Sequence, residues 1–269
     1  MDAIGAEMKQ FCTQTWANMS NWSGETLQFV WFLDSVENLD AATLFRAVWN
    51  AEPDNLQKNR VPNHAAPFLS LASSEVDGAV RRVQVQPGRV DLWYAIAPGA
   101  EGVFQNCFNF DAQLTMLYEQ VQKISFDSHR VYRISLIGAQ VLPVSDYNDS
   151  VREIYGALGF DLNIPRVSDL TFQVNSRVDF GESVVNRLLH LSTVSVQDFQ
   201  FDLERPIAPY PSTRVELASR RQFDFNTVPD GQFISLERQH ELFKLISEEM
   251  MRVAHDGTLN SFRSADLFG

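Results

Sequence analysis

Histidine and cysteine side chains are the first candidates for catalysis or metal binding, and this sequence scatters both. The five histidines stand one to a segment, at His64, His129, His190, His240 and His255. The two cysteines, Cys12 and Cys107, have no Cys-x-x-Cys or Cys/His companion. The nearest metal motif is HELFK, but a zinc protease needs a second histidine where Lys244 stands. We therefore predict no catalytic residue, no metal site and no cofactor.

Three aspartates offer an arrangement that could support hydrolysis. Asp198, Asp202 and Asp224 lie in β-rich runs and could meet across neighbouring strands. Retaining and metal-dependent hydrolases use carboxylates in this way. A surface role is the alternative reading. A metal-dependent hydrolase therefore stays open as a second hypothesis, and clustering of the three carboxylates is the observation that would favour it.

Aromatic residues offer a different kind of site, because all five tryptophans lie in the first hundred residues. Arg81, Arg82 and Arg89 precede Trp93 and Tyr94, and arginine beside aromatic rings can stack a planar ligand. Neighbouring residues of a strand face opposite sides, so only part of this set can line one surface. Core packing is the alternative. A small-ligand sensor thus remains a third hypothesis.

Charge and motifs exclude several classes of protein. The chain has 34 acidic and 22 basic residues, a formal net charge of −12, and this charge disfavours general nucleic-acid binding. Only four of the basic residues are lysines, and the many arginines suit fixed pairing with carboxylates. No dinucleotide-binding, P-loop, nucleophile-elbow or calcium-loop motif occurs.

The apolar segments are too short to cross a membrane. Unbroken apolar runs such as Phe29–Leu33 are far shorter than the ~18 residues that a spanning helix needs. The first ten residues, MDAIGAEMKQ, have an acid at position 2 and no apolar stretch, unlike a secretory signal. We expect a cytoplasmic protein that does not engage membranes.

Residues 1–127 form the first of two predicted halves. The pattern predicts a hairpin with its turn at Asn21–Glu25, a short helix capped by Asp40, and a long loop over 50–67. Three strands follow, at Phe68–Ser73, Ala79–Val85 and Arg89–Ile96. A long helix with Asp111 as its N-cap ends this half.

Residues 128–256 form the second half. It opens with one long strand, His129–Val144, followed by a short helix that Gly159 terminates. Further β-rich runs lead to a final helix that starts at Ser235 and stops at Gly257. Both halves therefore give strand, short helix, strands and long helix. The expected fold class is α+β, with an antiparallel or mixed sheet and two similar halves.

The last segment, residues 257–269, has no periodicity and carries large apolar residues close to the terminus. Fraying is one expectation for such a tail. The other is a docking peptide whose Phe262, Leu267 and Phe268 fill pockets on this chain or on a partner.

Three stretches resemble a sporadically distributed family of uncharacterised bacterial proteins of similar length. They are VQVQPGRVDLWY, VYRISLIGAQVLP, and RRQFDFNTV with the helix that follows. The family's last strand usually alternates aspartates with apolar residues, and here Asp224 alone keeps that pattern. The resemblance implies no catalytic residue, and the family's scattered occurrence would suit an accessory gene in conflict with phages or plasmids.

The sequence therefore favours a non-catalytic interaction or assembly component that binds a protein partner or a second copy of itself. An enzyme or a ligand sensor with its site between the two halves is the alternative.

Overall fold

The computed structural model describes residues 22–64, 66–97, 102–126, 129–159, 167, 170–200 and 210–262. Within these ranges nine strands form one sheet in which every neighbouring pair is antiparallel. Four α-helices accompany the sheet in the same ranges. The predicted α+β class is confirmed, and of the antiparallel and mixed sheets that the sequence left open, the structure has the antiparallel one.

The strands belong to both halves of the chain. They are β1 Ser23–Leu33, β2 Asn55–Lys58, β3 Ser70–Val76, β4 Ala79–Gln86, β5 Arg89–Ile96, β6 Val131–Val144, β7 Thr171–Phe180, β8 Ser183–Gln200 and β9 Tyr210–Thr227. Their order across the sheet is β2-β3-β4-β5-β1-β6-β9-β8-β7. Because β1 pairs with β6, the two predicted halves share one continuous sheet. In each half the first strand lies beside the last strand, so the two halves repeat one topology apart from the edge strand β2, which has no counterpart among the described strands of the second half.

The helices are α1 Ala41–Trp49, α2 Phe110–Val121, α3 Tyr147–Leu158 and α4 Leu236–Asp256. Asp40 caps α1 as predicted, and α4, which was predicted to start at Ser235, begins at Leu236 with Ser235 as its N-cap. Each cap accepts a hydrogen bond from a first-turn amide. Gly159 and Gly257 close α3 and α4 in the left-handed conformation. No helix in the described ranges is long and apolar enough to cross a membrane.

Three local predictions need correction. The N-cap of α2 is Asn109, whose side chain accepts from the amide of Ala112, while Asp111 lies in the first turn. The predicted turn at Asn21–Glu25 contains the start of β1, because Gly24 exchanges two backbone hydrogen bonds with Phe108. The predicted loop over 50–67 contains β2, which pairs with β3 at the edge of the sheet. The first strand of the predicted hairpin lies outside the described residues.

All four helices pack on one face of the sheet, which we call the helix face. The central strand β1 directs Phe29 and Trp31 to this face, where Phe243 of α4 contacts both rings at 5.1 and 5.2 Å between centroids. Phe110 of α2 contacts Phe223 of β9 in the same layer. The core therefore joins a strand of the first half to a helix of the second.

Two short 3-10 helices complete the described structure. Val103–Asn106 precedes α2, and Leu259–Phe262 follows α4. The second of these packs against α4 and lies within the predicted tail, residues 257–269.

Candidate functional site

Phe262, one of the three predicted partner contacts, lies in the core of its own chain. The side chain is 8% exposed, and its ring lies 6.4 Å from that of Phe225. The Arg187 guanidinium stacks over the ring at 5.2 Å and donates a hydrogen bond to the Phe262 carbonyl. Phe262 thus fills a pocket on this chain. Leu267 and Phe268 lie outside the described residues.

A buried ion-pair network holds the segment around Phe262. Glu249 of α4 pairs with Arg187 at 2.5 Å and with Arg252 at 2.8 Å. Arg252 also donates to the carbonyl of Ser261, and its hydrogen bond to Glu249 raises the pKa of its guanidinium. Each charge has a partner of opposite sign, as buried charges require. We therefore assign this network to fixing the second 3-10 helix on α4.

The three aspartates of the hydrolase hypothesis do not form a cluster in the described residues. Asp224 lies opposite Leu188 in the pairing of β9 with β8, and Asp198 is ten residues further along β8. At the rise of an extended strand, this separates the two positions by roughly 30 Å. The Asp224 carboxylate accepts hydrogen bonds from Ser135 and Asn226 instead. Asp202 lies outside the described residues.

The aromatic residues and arginines of the sensor hypothesis divide between the two faces of the sheet. Register pairs Arg81 with Tyr94 and Arg82 with Trp93, so the two pairs point in opposite directions. The Arg82 guanidinium lies 5.8 Å from the Trp93 ring. The alternation therefore prevents these residues from lining one surface.

A polar network occupies the face of the sheet opposite the helices. Asp91 is fully buried there and accepts hydrogen bonds from Gln28, Gln86 and Arg89, each at 2.8 Å. Burial raises the pKa of this carboxyl, and the three donors act in the opposite direction. Arg89 also stacks on Phe32. Because its acceptor sites are occupied by protein donors, we assign Asp91 a structural role.

Strands β8 and β9 extend beyond their neighbours in the sheet. β7 pairs with β8 only as far as Ser192, and β6 pairs with β9 only from Leu217 onwards. Beyond these points β8 and β9 pair with each other as far as Gln200 and Tyr210. We call residues 197–200 and 210–215 the distal ribbon. Among the described residues no third strand pairs with it, and its Val215 is 51% exposed.

A cavity of about 530 Å³ lies between the two halves, and we call it the interhalf cavity. The first half contributes the start of β1 and the segment that leads into α2. The second half contributes β6, β9 and the end of α4. The lining includes Trp22, Asp111, Gln140, Arg221 and His255. This volume falls within the ~300–1,000 Å³ of typical small-molecule sites.

Arg221 is the most unusual residue of this cavity. Its side chain is 4% exposed, Nε donates to Gln140 Oε1 at 2.6 Å, and the guanidinium stacks on Trp22 at 4.6 Å. Burial lowers the pKa of Arg221 to about 9, although Asp111 nearby acts to raise it. At the rim Asp111 pairs with His255 at 2.7 Å.

Arg221 is not among the site residues predicted from the sequence, although the sequence pattern around it indicates that it is buried. In RRQFDFNTV, Arg221 alternates in phase with Phe223 and Phe225, which places a charged residue on the apolar face of β9.

No protein-family model matches this chain, and no curated protein matches it.

Proposed function

We propose that this chain is a cytoplasmic, non-catalytic assembly component that binds a protein partner through the distal ribbon. The pairing of β8 and β9 beyond both neighbouring strands is the observation that carries this proposal. A two-stranded hairpin is only marginally stable by itself in water. The distal ribbon would gain stability from a further strand or a packed surface.

The edges of the ribbon favour recognition by strand addition. Each outer edge presents backbone N–H and C=O groups that no described strand pairs. Natural proteins protect such edges, because an unpaired edge accepts an extended segment of another chain. An added strand would obtain its affinity from main-chain hydrogen bonds, and Val215 offers an apolar contact beside them.

Charge favours a basic partner over a second copy of this chain. Two copies would each carry a formal net charge of −12 and would repel at low ionic strength. A partner that supplies an extended strand with lysine and arginine side chains would be attracted. The resemblance to a scattered bacterial family supports placing this pair in an accessory system that opposes phages or plasmids.

The test is affinity purification of the tagged chain from its native host, followed by reconstitution with the purified partner. The decisive variant replaces residues 197–215 with Asn-Gly, because a two-residue turn can join the paired residues Val196 and Glu216. We expect this variant to lose the partner. It should retain the far-ultraviolet circular dichroism and melting temperature of the parent core, since no described core residue is removed.

A variant that lacks residues 263–269 is the matched control, because it removes Leu267 and Phe268 and keeps the ribbon. We expect it to bind the partner as the parent does, with an affinity that falls as salt is raised. Loss of binding in this variant alone would move the contact to the tail. A parent chain that forms dimers, which the shortened variant does not, would replace the basic partner with a second copy.

A further inference from the structure

The interhalf cavity contains a buried guanidinium, that of Arg221, which has no ion-pair partner among the described residues, although the charge of Asp111 acts on it. A guanidinium has five N–H donors and does not lose its charge at physiological pH. The Nε donor of Arg221 has Gln140 as its acceptor, and no carboxylate in the described ranges forms an ion pair with the group. Burying a charge without a partner of opposite sign is costly. The arrangement therefore calls for an acceptor that the described residues do not provide.

Arg187 shows how the same sheet treats a structural arginine. It lies on β8 next to β9, is 1% exposed, and also faces the helices. Its guanidinium binds the Glu249 carboxylate and the Phe262 carbonyl. Arg221 is buried to a similar extent but lines a cavity instead of meeting a carboxylate. Both arginines are thus buried, but only Arg187 pairs with a protein carboxylate.

We propose that the interhalf cavity binds a small oxyanion, a carboxylate or a phosphate, on the guanidinium of Arg221. The planar fork of arginine matches two oxygens of either group. The first turn of α2 reaches the cavity through Phe110 and Asp111, and the amides at a helix N-terminus favour negative charge. Trp22 holds the guanidinium from one side by stacking.

The other ionisable groups of the cavity define its net charge. Asp111 is the acidic residue of the lining, and its carboxylate is paired with His255. Burial raises the pKa of the Cys107 thiol to about 11, so this group is neutral at physiological pH. A ligand oxyanion would therefore pair with the Arg221 guanidinium, while the Asp111 carboxylate would weaken its binding by repulsion.

The experiment measures the melting temperature of the full chain in inorganic phosphate and in succinate. Titration calorimetry then measures the affinity for each anion. Sodium chloride of equal ionic strength is the reference. We expect saturable stabilisation by one of the two anions, which also identifies the ligand class, because a ligand of the folded state raises the melting temperature. Arg221→Met should bind that anion at least tenfold more weakly. Arg220→Met is the matched control and should bind normally, since Arg220 faces the opposite side and pairs with Glu25.

Asp111→Asn keeps the test decisive if Arg221→Met does not fold, because Asp111 is partly exposed. Removing this carboxylate should tighten anion binding several-fold. The proposal is overturned if neither anion stabilises the parent chain beyond sodium chloride, or if the folded Arg221→Met variant binds as the parent does. An unchanged affinity in Asp111→Asn would also contradict it. The ribbon-shortened variant should bind the anion normally, so this site and the proposed partner contact fail independently.

Discussion

Cys107 is a free thiol whose reactivity its surroundings suppress. The residue is half-buried between the interhalf cavity and a second cavity beside Tyr94. Burial, with a smaller contribution from the charge of Glu25, raises the pKa of the thiol to about 11. Only the thiolate is a nucleophile, so at pH 7 about one molecule in ten thousand would be reactive.

Alkylation of a Cys12→Ser variant by iodoacetamide tests this suppression. We expect the rate at Cys107 to rise about tenfold per pH unit between pH 7 and pH 9 without a plateau, because the thiolate fraction grows throughout that range. The same protein in denaturant should level off near the ordinary thiol pKa of ~8.5. A plateau near that value in the folded protein would show that the thiol is not desolvated.

At the level of single residues, the sequence shows where a charge lies but not what it meets. The alternation of β9 places Arg221 on the same face as Phe223 and Phe225, so the pattern is sufficient to predict that Arg221 is buried. The pattern does not predict which residues contact its guanidinium, because Trp22 and Gln140 come from distant parts of the chain. The same holds for Arg187, whose partner Glu249 stands 62 residues away. Sequence patterns are local, and these contacts are set by the packing of whole elements.

Gly138 allows α2 and α4 to approach the centre of the sheet. A Cβ at this position of β6 would lie 2.7 Å from the ring of Phe110 and 2.9 Å from the sulfur of Met250. Both distances are shorter than ordinary contacts between heavy atoms, so these side chains or the helices that carry them would have to shift. Since both helices also pack on each other, a shift of either would disturb the same core.

Gly138→Ala should therefore lower the free energy of unfolding by about 1–3 kcal/mol, the usual cost of overpacking a core. Phe110→Leu shortens the side chain that the new methyl group meets. The double variant should be less destabilised than the sum of the two single changes, by roughly 0.5–3 kcal/mol. Chemical denaturation of the four proteins measures this coupling. Simple additivity would show that the close approach at Gly138 does not constrain the helices.

At the level of elements, the sequence predicts what local chemistry determines. The capping side chain of Asp40 and the terminal glycines of α3 and α4 act within one helical turn, and the structure confirms each of these predictions. The start of β1 depends on Phe108, which is far away in sequence, and β2 depends on the edge of β3. The length of the distal ribbon likewise depends on where β6 and β7 end. Such boundaries follow from strand pairing and not from propensity.

The two halves that the sequence predicts form one sheet and one core in the folded molecule. The two halves repeat one topology, yet β1 and β6 pair along ten positions of a single sheet. Phe243 of the second half packs on Phe29 and Trp31 of the first. The interhalf cavity exists only while these halves stay together, because each contributes part of its lining.

This shared core predicts that the two halves unfold in one cooperative transition. All five tryptophans lie in the first half, so their fluorescence reports on that half. Far-ultraviolet circular dichroism weights the second half, which contains the long helix α4. In denaturant both signals should change at the same midpoint, as expected of two-state unfolding. Two separated midpoints would mean that the halves are independent domains.

Phe243→Ala tests whether a change in the second half destabilises the first, because Phe243 belongs to the second half and contacts the first. Truncation of this fully buried ring should cost about 3–5 kcal/mol. If the core is shared, tryptophan fluorescence and circular dichroism should shift to lower denaturant by the same amount. A shift in circular dichroism with an unchanged fluorescence midpoint would show that the first half is stable without the second. In that case the β1–β6 pairing would not couple the halves, and the interhalf cavity would open when the second half alone unfolds.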